Sequence, residues 1–167
     1  WHLARDVVAH LGFNDVVIYL YDKKKDVLLQ KAAFGNKNPI SYEILHPIEI
    51  KLGQGVVGRV AQSLEPMRID DTRLFPDYVV DDQARLSELA IPLAADNKII
   101  GVIDSEHEQV GFYSEQDVST LMAIASIAAT KIAKAQTRAE LQQTIEKLEH
   151  SNKVQKTLFD IAELIFE

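Results

Sequence analysis

Leu52-Gly53-Gln54-Gly55-Val56-Val57-Gly58-Arg59-Val60-Ala61 is the stretch on which the fold turns. Residues 53–58 satisfy G-x-G-x-x-G ahead of a helical pattern, the spacing of a dinucleotide-binding loop. That chemistry needs a buried parallel strand in front of the loop, opening a β-α-β unit. The strand in front here is Ile48-Glu49-Ile50-Lys51, half polar, just after Pro47 and third in a meander. The next strand ends at Asp70, twelve residues after Gly58, whereas a ribose-binding acid is expected about 20 residues on. The glycines therefore read as structural: two for a tight strand-to-helix turn and a third for close helix packing.

Working outward, Leu3, Val7 and Leu11 recur at helical spacing over residues 1–11, and Gly12 follows as a C-cap. Phe13–Tyr21 and Val27–Phe34 are rich in strand formers and flank the turn Asp22–Asp26, which makes an antiparallel hairpin. After the loop Gly35–Pro39, Ile44, Ile48 and Ile50 mark a third strand, interrupted by Pro47 as suits an edge. Downstream, Met67 and Ile69 form a brief strand running into Asp70-Asp71, and residues 72–85 are polar with no clean period. Leu86–Ala94 and Lys98–Glu106 make a second hairpin around Ala95-Asp96-Asn97. Ser114-Glu115-Gln116-Asp117 resembles a capping box and opens a very long helix. Strands joined by tight turns exclude a doubly wound parallel sheet, which needs helical crossovers. The expected class is α+β: one antiparallel sheet with helices packed on one face, plus a long C-terminal coiled-coil helix.

Composition narrows function. The 167 residues suit one domain with an added element, and the absence of cysteine excludes disulfides, zinc–thiolate sites, iron–sulfur clusters and cysteine nucleophiles. Net charge is −7, and the run Lys23-Lys24-Lys25 sits between Asp22 and Asp26 in a hairpin turn. Nucleic acid, which needs a basic footprint, and an anionic membrane surface are not expected partners. No apolar run approaches the ~20 residues of a membrane span and no signal peptide is visible, so a cytoplasmic setting is expected. Both termini fall inside amphipathic patterns, which points to a piece of a longer chain.

In the long helix, Leu121, Ala125, Ala128, Ile132, Ala135 and Ala139 step by four and three. A second seam follows through Leu141, Ile145, Leu148, Asn152, Gln155, Phe159, Ala162 and Phe166, its register slipped by one residue against the first. The first seam serves equally to cover the domain's own sheet. The second needs a partner, because a lone helix is marginal in water. The expected division is a domain over residues 1–135 and a signalling helix, or the start of a further domain, over 136–167. A homodimer through the N- and C-terminal helices is expected, with Asn152 setting register.

The stretch quoted first, with Glu65-Pro66 and Ile69-Asp70-Asp71-Thr72, resembles the middle of GAF domains. Leu86–Leu93, Ile99–His107, Phe112-Tyr113 and the capped helix at Asp117 resemble their closing blocks, so the similarity extends over about residues 3–135. This version is similar to those of bacterial sensor histidine kinases. The resemblance implies a six-stranded antiparallel sheet with helices packed on one face and a ligand pocket on the other, and a sensory role passed to an output domain in the same chain. Bilin-binding and methionine-sulfoxide-reducing members use cysteines, which this chain lacks, and the cyclic-nucleotide pattern is incomplete. On this reading the fragment is not an enzyme and carries no identified cofactor or metal. The pocket is expected between the sheet and residues 72–85, with Phe75, Tyr78 and Val79 as apolar walls and Ser87, Glu88, Asp104 and Glu106 as polar anchors. A hard cation on Asp70, Asp71, Asp81, Asp82 and Asp104 is the minor alternative, and an acidic lining favours cationic or neutral ligands. His2, His10, His46, His107 and His150 are scattered and read as surface or packing residues. Competing functions are a ligand-free dimerisation module, a domain of a cyclase or phosphodiesterase and, least favoured because no His or Cys nucleophile accompanies the carboxylates, an acid–base enzyme using Glu88, Asp104 or Glu106.

Overall fold

A computed structural model describes residues 2–35, Ile44, 47–80 and 83–166. Ten elements follow one another: α1 (His2–Leu11), β1 (Asp15–Asp22), β2 (Val27–Gly35), β3 (Glu49–Lys51), α2 (Gly55–Ser63), β4 (Met67–Ile69), a 3₁₀ turn (Thr72–Leu74), β5 (Ser87–Ala95), β6 (Lys98–His107) and α3 (Glu115–Phe166). The strands form one six-stranded sheet in the order β3-β2-β1-β6-β5-β4, antiparallel throughout. The expected α+β class, with one antiparallel sheet and a long C-terminal helix, holds. The third strand is shorter than Ile44–Ile50, because Pro47 has no N–H for a ladder and pairing begins only at Glu49. His46 and the loop 36–43 lie outside the described residues.

Local chemistry accounts for the connections. Asp22 Oδ1 accepts the N–H groups of Lys24 (2.9 Å) and Lys25 (3.2 Å), closing the first hairpin. The second closes through Asp96 and Asn97, both at positive φ, the backbone that a two-residue hairpin turn requires. Ser114 and Asp117 cap α3 reciprocally: Ser114 N–H donates to Asp117 Oδ2 at 2.8 Å, and Asp117 N–H to Ser114 Oγ at 3.2 Å.

The chain divides into two compact units, Trp1–Thr130 and Lys131–Glu167. In the first, period-two alternation sorts the sheet into two faces. One carries Val17, Tyr19, Ala90 and Val102, packed with Leu28, Ile50 and the buried side of α2. The helix α2 thus covers this face, where the sequence reading put all helices on the other. The cause is the glycine-rich turn: Gly53 N–H donates to Gly58 O at 2.8 Å, folding α2 back over the sheet. Ala4 and Val7 of α1, and Leu121, Ala125 and Ala129 of α3, are buried outside that cluster. Their steps of four show the start of α3 covering its own domain, with Ala129 buried in place of Ala128. By length and composition α3 holds an 18-residue window apolar enough for a membrane span (mean hydropathy 1.3). Within that helix Leu121, Ala125 and Ala129 are buried in the domain.

In the second unit α3 runs on without interruption past Leu141, and Leu141, Ile145, Leu148, Leu158, Phe159 and Ile161 are all exposed.

Candidate functional site

Directly paired residues in β5 and β6 share a face, and the register is Glu88↔Glu106 and Ala90↔Asp104. Glu88, Asp104 and Glu106 therefore project together from the α2 side of the sheet, with exposures of 4, 3 and 2%. They line one cleft with Tyr19, Ile48, Ile50, Val79 and the start of α2, Gln54–Val57. The cleft measures about 280 Å³ including its open mouth, but its enclosed part is only water-sized.

Two features give it polarity. Gly55, Val56 and Val57 open α2, and first-turn N–H groups have no acceptor within a helix and carry its positive dipole end. Across the cleft lie the carboxylates. Among the described residues the buried acids are Asp15, Glu88, Asp104 and Glu106, and the buried basic side chains are His107 and Arg85, whose Nη2 lies 3.7 Å from Asp15 Oδ2. Asp15, the first residue of β1, extends the β1–β6 pairing through its side chain, its Oδ1 accepting the N–H of Glu106 at 3.0 Å. Burial of several acidic side chains side by side disfavours their charged forms.

Residues 75–79 form a strap linking α2 to the sheet beside the cleft, with Val79 in the cleft wall. Tyr78 Oη donates to Glu106 Oε1 at 2.6 Å and accepts the Arg85 N–H at 3.0 Å. Burial, then the hydrogen bond to Glu106, push the Tyr78 phenol pKa far up, so it remains a donor at any physiological pH. At the other end Arg59 of α2 pairs with Asp77 and lies 5.1 Å over the Phe75 ring. Gly55 makes this approach possible: a Cβ there would stand 2.8 Å from Val79 Cγ2.

The seven expected site residues thus divide. Val79, Glu88, Asp104 and Glu106 line the cleft, and Tyr78 reaches it through Glu106. Phe75 instead packs beneath Arg59. Ser87 points to the other face, its Oγ donating to Gln109 O at 2.7 Å, because neighbours in a strand cannot share a face. Tyr19 and residues 54–57 were not expected. The alternation Val17/Tyr19 in β1 was the available signal for the first, while the helix start depends on how α2 folds back. Among the described residues no group of three His, Cys, Asp or Glu side chains is arranged to hold a metal ion. Asp70 pairs with Arg68 (3.2 Å) and Asp71 with Arg73 (2.7 Å), while Asp81 and Asp82 lie outside the described residues. His107 is a packing residue, stacked on Phe112 with ring centroids 3.5 Å apart.

A GAF family model matches residues 2–133. The chain belongs to the GAF domain family. Its GAF fold is shared with the GAF domain of an Acinetobacter phosphoenolpyruvate-protein phosphotransferase (TM-score 0.71, 22% identity, 81% of this chain and 80% of that one). It is also similar to the free methionine-R-sulfoxide reductase of Neisseria meningitidis in complex with its substrate (TM-score 0.70, 26% identity, 83% of this chain and 77% of that one). In sequence it is 33% identical over 70 residues to the free methionine-R-sulfoxide reductase of Escherichia coli, covering 42% of each chain. With Protein YtsP of Bacillus subtilis it shares 32% over 78 residues, 47% of this chain and 48% of that one. The chain therefore spans about half or less of the length of these curated relatives. GAF domains are a regulatory, small-molecule-binding fold, and the expectation of that class stands. The expectation that this fragment is not an enzyme is overturned, because its relatives include reductases, which are enzymes.

Proposed function

We propose that this GAF domain binds a small ligand bearing a primary ammonium group, of the free amino-acid class, and passes its occupancy to α3. The observation that carries this reading is the convergence of buried Glu88, Asp104 and Glu106 on one cleft. A primary ammonium offers three donors and one positive charge, which suits a cleft whose wall includes three acidic side chains. The open N–H groups of α2 suit the ligand's carboxylate. The Neisseria relative, whose substrate is a free amino acid derivative, supports the same class.

The transmission route is β6. Asp104 and Glu106 face the cleft, while Ser105 between them meets Tyr113 Oη at 2.8 Å, one residue before the cap of α3. A ligand that moves the carboxylates acts on the helix start through one strand, provided it binds two states of that strand differently. The further reading, a dimer of α3 driving a two-component histidine kinase, rests on the exposed heptad seam and on the resemblance of the sequence to sensor-kinase GAF domains. The reductase relatives favour catalysis as a second reading, which this chain would have to carry out without a cysteine of its own.

Calorimetry with free L-methionine and N-acetyl-L-methionine tests the ligand class. Binding of the first and not the second, lost in Asp104→Asn, is the expected result, and equal behaviour of the two removes the ammonium reading. The catalytic reading is checked by following loss of free methionine-R-sulfoxide in the presence of a thiol reductant.

A further inference from the structure

The carboxylate of Glu106 serves two masters: it lines the cleft, and it is the acceptor that ties the strap to the sheet. On the α2 side the strap has several anchors, the Arg59–Asp77 pair, the Arg59–Phe75 stack and the Val79–Gly55 contact. On the sheet side, the Tyr78 phenol bridges Glu106 and the Arg85 backbone. A phenol donating to a buried carboxylate at 2.6 Å is a charge-assisted bond, stronger than a neutral one. Because the enclosed space is water-sized and Val79 forms part of its wall, anything larger than an ammonium head needs the strap to yield.

We propose that Tyr78 is the specificity and coupling residue of this site: its phenol and the ligand's ammonium compete for Glu106, so that seating the ligand releases the strap from the sheet. This rests on the ammonium reading of the cleft. Its consequence is that the closed strap lowers apparent affinity, since a ligand binding only the released form is weakened by the fraction of time that form is absent. Weak or neutral ligands that do not displace the phenol from Glu106 are turned away. The released strap is a second conformational state that the domain can report.

The test uses the whole chain and Tyr78→Phe, which keeps the ring and removes only the hydroxyl. Hydrogen exchange reads the strap without ligand, and calorimetry reads binding of free L-methionine. Exchange at residues 75–79 and at the Arg85 amide is expected to rise about tenfold in Tyr78→Phe, the size set by one hydrogen bond to a charged group. The Kd for L-methionine is expected to fall by about tenfold in the same variant. Unchanged exchange overturns the latch. Raised exchange with unchanged or weaker binding overturns the competition, since the phenol then either stands aside or contacts the ligand itself. Failure of L-methionine to bind both proteins removes the ligand class and the competition with it, whereas binding to the native chain with no gain in Tyr78→Phe removes the competition alone.

Discussion

Glu88 and Glu106 stand directly opposite one another across the β5–β6 ladder, both buried and both on the cleft face. Like charges so placed are destabilising. On the proposed ligand reading, an ammonium group in the cleft relieves whatever repulsion the two carboxyls exert when both are ionised. Glu88→Gln is expected to stabilise the empty domain by about 1 kcal/mol, raising Tm by roughly 3–5 °C, while abolishing stabilisation by free L-methionine. Thermal unfolding with and without the amino acid checks both. A lower Tm in the variant shows that Glu88 is held by attraction rather than strained by its neighbour.

Gly58 tests whether the glycine-rich loop is structural. A Cβ at this position would lie 2.3 Å from the backbone carbonyl oxygen of Lys51, which no side-chain rotation can relieve. Gly58→Ala is expected to cost about 3 kcal/mol, read as a lower midpoint in urea unfolding. The loop hydrogen-bonds to itself through Gly53 and Gly58, so NAD is expected to leave the native chain's unfolding midpoint unchanged.

His107 makes stability depend on pH. Its Nδ1 accepts the Gln109 N–H at 3.1 Å, and burial holds its pKa below the ordinary 6.5. The unfolded chain therefore takes up this proton more readily than the folded one. The contribution of His107 is complete above about pH 6.5 and is lost progressively as pH falls from there through its lower folded-state value. Urea unfolding between pH 8 and pH 5 is expected to show this decline in the native chain and a shallower one in His107→Phe. Identical pH profiles for the two proteins would remove the assignment.

The exposed Leu141, Ile145 and Leu148 of the second unit bear on assembly. An isolated helix of this composition is marginal in water, and pairing with a second copy along the seam supplies the missing burial. Sedimentation equilibrium of the native chain is expected to give a dimer, and Ile145→Asn with Leu148→Asn a monomer whose first unit still melts at the native temperature. A monomeric native chain at about 100 μM sinks the coiled-coil reading.

Much of the fold was legible because its determinants are local. The Asp22–Asp26 turn, Asp96-Asn97 at positive φ and the Ser114–Asp117 box each act within five residues, so hairpins and helix start could be read in order along the chain. The acidic character of the site was legible too, since Glu88, Asp104 and Glu106 stand at alternate positions of two paired strands. The same period of two argues against Ser87, which the sequence reading nevertheless grouped with them.

What the sequence by itself determined was the set of elements, their antiparallel pairing and the absence of thiol chemistry. These follow from turn residues, side-chain periodicity and composition. Only the tertiary structure decided that α2 returns over the carboxylate face, that Asp15 and Glu106 meet 91 residues apart, and that Tyr78 reaches Glu106 across 28. Such meetings are set by which buried surfaces pack together, a property of the whole core that no local pattern encodes.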